Sequence, residues 1–71
     1  MSSILIIEDE PRIAGFIAKG LKSAGFTSET TPSGETGATL AGHGDFALII
    51  LDVGLPDIDG FEVLERIRGQ G

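Results

Sequence analysis

The chain has 71 residues, a formal net charge of -6 and no cysteine. That is room for one small domain at most, and it excludes a disulfide staple or a thiolate metal site; one histidine is a poor start for zinc. Eleven acids against five bases argue against this segment gripping nucleic-acid phosphates and point to a cationic partner or a bound metal.

Ile4 to Ile7 is a short, unbroken, β-branched run, apolar on both faces as a central parallel strand must be, and a strand is expected over about 4–8. Pro11 suits a first helical turn, with Asp9 or Glu10 as cap candidates. Ile13, Phe16, Ile17, Leu21 and Ala24 then recur at helical spacing until Gly25, so a helix is expected over about 11–24. Residues 26–31 alternate weakly and are polar, which suggests a second strand near an edge. Pro32-Ser33-Gly34 breaks it, and a weak helix follows over about 34–42, with Ala38, Leu40 and Ala41 inward and Gly37 lowering its propensity.

Phe46 to Leu51 is a second dense apolar run, expected as a strand over 46–51, with Asp52 at its carboxyl end. After the loop from Leu55 to Gly60, the residues Phe61, Val63, Leu64 and Ile67 carry a helical stripe over about 60–68, which Gly69-Gln70-Gly71 stops. Phe16, Phe26, Phe46 and Phe61 read as core, His43 as an idle loop residue, and Arg66 and Arg68 as helix-end cations that favour the dipole. Asp57 and Asp59 read as secondary metal neighbours or, the favoured reading, as residues that make loop hydrogen bonds and a cap before Phe61. No run approaches the roughly 20 apolar residues of a membrane span, and the amino terminus lacks the pattern of a signal peptide. No membrane association and a cytoplasmic location are therefore expected.

The order strand, helix, strand, helix, strand, helix predicts an α/β fold in three layers, a parallel sheet with helices on both faces. In such folds ligands bind at the carboxyl ends of the strands, where Glu8, Asp9 and Asp52 would meet. Carboxylates held together repel unless a cation joins them, and Mg2+, which takes oxygen ligands and tolerates retained waters, suits that set. The plainer alternative makes each acid a helix cap or a solvated loop residue, and Glu10 fits that alternative best.

The run Ile4-Leu5-Ile6-Ile7-Glu8-Asp9-Glu10, the strand ending in Asp52, and Leu55-Pro56-Asp57-Ile58-Asp59-Gly60 together resemble the receiver domain of two-component response regulators. The resemblance spans essentially the whole chain, which is expected to form one partial receiver domain over 1–71, with a flavodoxin-like fold. It implies that Asp52 accepts a phosphoryl group from a sensor histidine kinase, that Glu8 and Asp9 hold Mg2+ with Asp52, and that the backbone carbonyl of Gly54 completes the metal shell. It also implies that the domain assists its own phosphorylation and dephosphorylation without being an enzyme in the ordinary sense. The output would be transcription, with DNA contacted only through an output domain absent from these residues.

Receivers of the family have five strands and five helices, with a Ser or Thr ending the fourth strand and a Lys ending the fifth. This chain stops after the third helix and is expected to be a cut-down piece of a longer regulator. By the family's strand order the third strand would become an open edge, which predicts a homodimer or a domain-swapped assembly. The rival reading is a structural fragment that cannot be phosphorylated and self-associates through that edge. A magnesium-dependent phosphatase is disfavoured, because no second aspartate stands two residues after Asp52.

Overall fold

The computed structural model describes residues 3–44, 46–52 and 54–69. Within them the chain forms β1 (Ser3–Ile7), α1 (Pro11–Ser23), β2 (Thr27–Thr31), α2 (Gly34–His43), β3 (Leu48–Leu51) and α3 (Gly60–Gly69). The expected stop at Gln70 and Gly71 lies outside the described residues.

The three strands form one parallel sheet in the order β2-β1-β3. The most apolar strand takes the centre, where both of its faces are covered and both of its edges are paired. Leu5, Ile6 and Ile7 are wholly buried. Burial of such a side chain contributes about 1.5–3 kcal/mol, so this tripeptide is the largest local source of stability. Side chains alternate across the strand. Leu5 and Ile7 join Ala38 of α2, Leu55 and Val63 of α3 in one core cluster, with Ile49 and Leu51 of β3 packed against it. Ile4 and Ile6 are buried on the opposite parity, the side that α1 covers with Ala14.

Local chemistry sets the ends of α1. The Glu10 side chain accepts the Arg12 N–H at the amino end, and Pro11 opens the first turn. At the carboxyl end Gly25 takes φ 91°, and two reversed bonds close the helix, Gly25 N–H to the Lys22 carbonyl at 3.0 Å and Phe26 N–H to the Leu21 carbonyl at 2.9 Å. Phe26 therefore spends its amide on the helix end, and β2 begins one residue later, at Thr27.

The poor propensity of α2 has a packing reason. A β-carbon built on Gly37 would lie 2.5 Å from Ile7 Cδ1 and 2.7 Å from Ile7 Cγ1. One on Gly34 would lie 2.7 Å from Ile58 Cγ1. Glycine at these two places lets α2 lie flush on β1 and on the β3–α3 loop.

The phenylalanines depart from the core expected of them. Phe16 is 80%, Phe61 69% and Phe26 40% exposed, and only Phe46 packs partly against the core. On α1 the buried side centres on Ala14, with Ile17 and Leu21 partly buried, and Ile13 and Phe16 lie off it; on α3 Val63 and Ile67 face the core, and Phe61, two positions before Val63, points to the other side of the helix. β3 lies at the edge, and Leu48 on the α1 side of that strand is 54% exposed.

Gly37→Ala should therefore destabilise the chain by about 1–2 kcal/mol, the overpacking penalty less the helix-propensity gain. Adding Ile7→Val removes the nearest atom, so urea unfolding of the double variant should recover much of that loss through a positive coupling in the cycle.

Candidate functional site

The ladder carries two acids one residue beyond the strands. Glu8 N–H donates to the Thr31 carbonyl at 3.0 Å, and Asp52 N–H donates to the Ile7 carbonyl at 2.9 Å. Glu8 is thus held against β2 and Asp52 against β1, at the carboxyl ends of neighbouring parallel strands. Each of Glu8, Asp9 and Asp52 can offer a carboxylate oxygen such that all three lie within 4.8 Å of one another. Glu8 and Asp52 are half-buried and Asp9 is exposed, so the cluster opens to solvent on one side. The Asp52 Oδ1 atom accepts the Gly54 N–H at 3.1 Å, which ties the side chain to the start of the loop.

The electrostatics are those of crowded anions. The Glu10 N–H, bonded to Glu8 Oε2 at 3.1 Å, is the strongest single influence on Glu8 and favours its charged form. Desolvation, the charge of Asp52, a hydrogen bond with the Asp52 carboxyl and the charge of Asp9 together outweigh it and hold the Glu8 proton above its ordinary pKa. Carboxyls crowded in this way repel, and a hard cation placed among them would relieve the repulsion. The all-oxygen donor set, open on one side, fits Mg2+.

The acidic residues singled out as caps separate by role. Glu10 caps α1, and Asp59 Oδ1 accepts Phe61 N–H at 2.8 Å and Glu62 N–H at 3.1 Å to cap α3. Asp57 does something that sequence reasoning missed. Its carboxylate caps α2, accepting Gly34 N–H at 2.9 Å on Oδ1, and Glu35 N–H at 2.9 Å and the Ser33 hydroxyl at 2.8 Å on Oδ2. The Glu35 amide first, then those of Gly34 and the Ser33 hydroxyl, hold the Asp57 carboxyl far below the usual carboxylate range. No local signal reveals this, because donor and acceptor lie more than 20 residues apart. Arg66 also exceeds its expected dipole role, pairing with Glu35 and Glu62 at 2.8 Å each and joining α3 to α2.

The model of the response regulator receiver domain matches residues 4–71. The chain belongs to the response regulator receiver family. The transcriptional activator protein IrlR of Burkholderia pseudomallei is 49% identical to it over 65 residues, covering 92% of this chain and 28% of IrlR. The response regulator protein TrrA of Thermotoga maritima, solved in complex with Mg2+–BeF, superposes with a TM-score of 0.93 at 34% identity, covering 99% of this chain and 61% of that one. TrrA in complex with the histidine kinase ThkA gives a TM-score of 0.92 at 34% identity, covering 100% of this chain and 61% of the other. The receiver described here therefore spans well under a third of the length of IrlR and about three fifths of TrrA. No helix among its described residues is long and apolar enough to cross a membrane.

The two perturbed carboxyls should pull stability in opposite directions as pH changes. Glu8 has a raised folded pKa, so its contribution is complete below the unfolded value near 4 and is lost as pH rises through the folded one. Asp57 has a depressed folded pKa, so its contribution is complete above the unfolded value near 4 and is lost as pH falls. In metal-free urea titrations across pH, Asp52→Asn should flatten the loss on the rising side and raise the neutral-pH stability by under about 1 kcal/mol. Asp57→Asn should lower the midpoint at neutral pH and flatten the acid limb.

Proposed function

We propose that this receiver is the phosphoacceptor module of a two-component response regulator, with Asp52 as the phosphorylated residue. The observation that carries the reading is the convergence of Glu8, Asp9 and Asp52 within 4.8 Å at the carboxyl edge of the sheet. Glu8, Asp9, Asp52 and the backbone carbonyl of Gly54 are the residues assigned to hold Mg2+. When bound, the ion would neutralise the carboxylates and the incoming phosphoryl oxygens, which is the electrostatic help that phosphoryl transfer requires.

The chain's own residues do the rest. Asp52, fixed by its amide bond to Ile7 and its side-chain bond to Gly54, presents a carboxylate oxygen to the phosphorus of a kinase phosphohistidine. The new O–P bond forms as the P–N bond breaks; the electron pair leaves on the imidazole nitrogen, which takes up a proton. Hydrolysis of the resulting acyl phosphate restores Asp52. The complex of TrrA with ThkA supports a sensor histidine kinase as partner, and the complex of TrrA with Mg2+–BeF supports the cation. The relatives' part in transcription supports an output of that kind, exerted by a segment other than this acid-rich one. The reading places the chain in the cytoplasm and makes it an assistant to its own phosphorylation rather than an enzyme on a separate substrate.

A second reading has its own observation. Leu48, 54% exposed, leaves an apolar side chain on β3, which pairs on one side only among the described residues, the setting in which two sheets add edge to edge. In this reading the chain forms a homodimer or a domain-swapped pair.

Incubation with Mg2+ and acetyl phosphate should add one phosphoryl mass to the wild-type chain and none to Asp52→Asn. An adduct retained on the variant would refute the assignment of Asp52. Light scattering at micromolar concentration separates the second reading. Association abolished by Leu48→Lys supports an edge-to-edge assembly, whereas a folded monomer at every concentration rules it out.

A further inference from the structure

The loop that leaves Asp52 has few attachments among the described residues. β3 is only 4 residues long and lies at the sheet's edge. Beyond it, Leu55 is buried in the core and Ile58 packs partly against it, but Gly54, Pro56, Asp57 and Asp59 are exposed. The polar anchor of this loop is the Asp57 carboxylate, whose three bonds reach the Ser33 hydroxyl and the Gly34 and Glu35 amides. Those donors belong to the first turn of α2 and its cap, where the helix dipole also favours a negative charge.

α2 is in turn seated on β1. Gly37 faces Ile7 so closely that no β-carbon fits between them, and Ile7 directly precedes Glu8. At Gly34 the same helix lies against Ile58, Val63 and Leu55, the residues that follow Asp52 along the chain. One element therefore touches both arms of the acidic cluster. The arm carrying Glu8 and Asp9 meets it at Gly37, and the arm carrying Asp52 and Gly54 meets it through Asp57.

We infer that Asp57 is a positioning residue for the acidic cluster: the sheet fixes the Asp52 backbone, and by gripping the first turn of α2 Asp57 sets where Gly54, and the Asp52 carboxylate bonded to its amide, stand relative to Glu8 and Asp9. This inference rests on the proposed cation site, to which it adds a residue that touches neither the metal nor the phosphoryl group. Asp57 is 5 positions beyond Asp52 and bonds to α2, not to the cluster. The effect passes through the backbone of residues 54–57. Loss of the grip would leave Leu55 as the loop's main tether and widen the distribution of Asp52–Glu8 carboxylate separations, which a small, geometrically demanding cation tolerates poorly.

The test compares wild type, Asp57→Ala and Asp57→Asn, all confirmed folded by circular dichroism, by amide hydrogen exchange and by Mg2+ titration. Asparagine keeps one acceptor oxygen and is itself a good cap, so it guards against a variant that fails to fold. In Asp57→Ala, the Gly54 amide should exchange at least about 10-fold faster while those of Leu5 and Ile6 stay unchanged, and Mg2+ should bind about 10-fold more weakly. Asp57→Asn should fall between. Uniformly faster exchange across the sheet, or unchanged Mg2+ affinity in the folded variant, would reduce Asp57 to a helix cap and overturn the inference. If wild type binds no Mg2+ but the selective loosening of Gly54 appears, the metal assignment fails while the positioning role stands.

Discussion

The central strand is the constraint on which the molecule turns. Leu5, Ile6 and Ile7 have no exposure, and their backbone is bonded on both sides, to β2 and to β3. Because this strand is apolar on both faces, its register is set by its polar ends: a slip by one residue would draw Ser3 or Glu8 into the buried stretch. The positions just past its end inherit that precision. Glu8 and Asp52 project at defined places because their own amides donate the last ladder bonds, to the carbonyls of Thr31 and Ile7. The acidic cluster is thus assembled by the same bonds that hold the sheet.

That assembly carries an electrostatic cost. Three carboxylates share one opening, and the molecule already carries a net charge of -6. The raised proton affinity of Glu8 is the visible sign. A divalent cation answers both the local repulsion and the chemical need of a carboxylate that must approach a negatively charged phosphoryl group. The acids at the helix starts behave differently. Asp57, Asp59 and Glu10 each accept amide protons at a helix start, and Asp57, with three donors, keeps its negative charge to far lower pH.

The two faces of the sheet are unequal. On one, α2 and α3 lock together through the Leu5, Ile7, Leu55 and Val63 cluster and the Glu35–Arg66–Glu62 pairs. On the other, α1 covers β1 and β2 but leaves Leu48 of β3 and its own Phe16 open. The chain matches about three fifths of the length of TrrA at a TM-score of 0.93, so the portion present takes the receiver fold closely even with those side chains uncovered.

The sequence alone determined what local pattern can encode. Two apolar runs ending in acids marked two strands and the place where Glu8, Asp9 and Asp52 come together. Helical spacing with Glu10, Pro11 and Gly25 marked α1, and Asp59 before Phe61 marked the start of α3, because caps and periodicity act over a few residues. Tertiary structure decided the rest. Phe16 and Phe61 stand exposed because the core takes Ala14 on α1 and Val63 on α3, and an apolar stripe does not say which of its residues the core will take. Why Gly37 interrupts a helix became clear only against Ile7, a neighbour 30 positions away in the chain. The role of Asp57 was equally hidden, since its partners are the amides of a helix that ends before β3 begins, and a backbone donor leaves no mark in the sequence of the residue that supplies it.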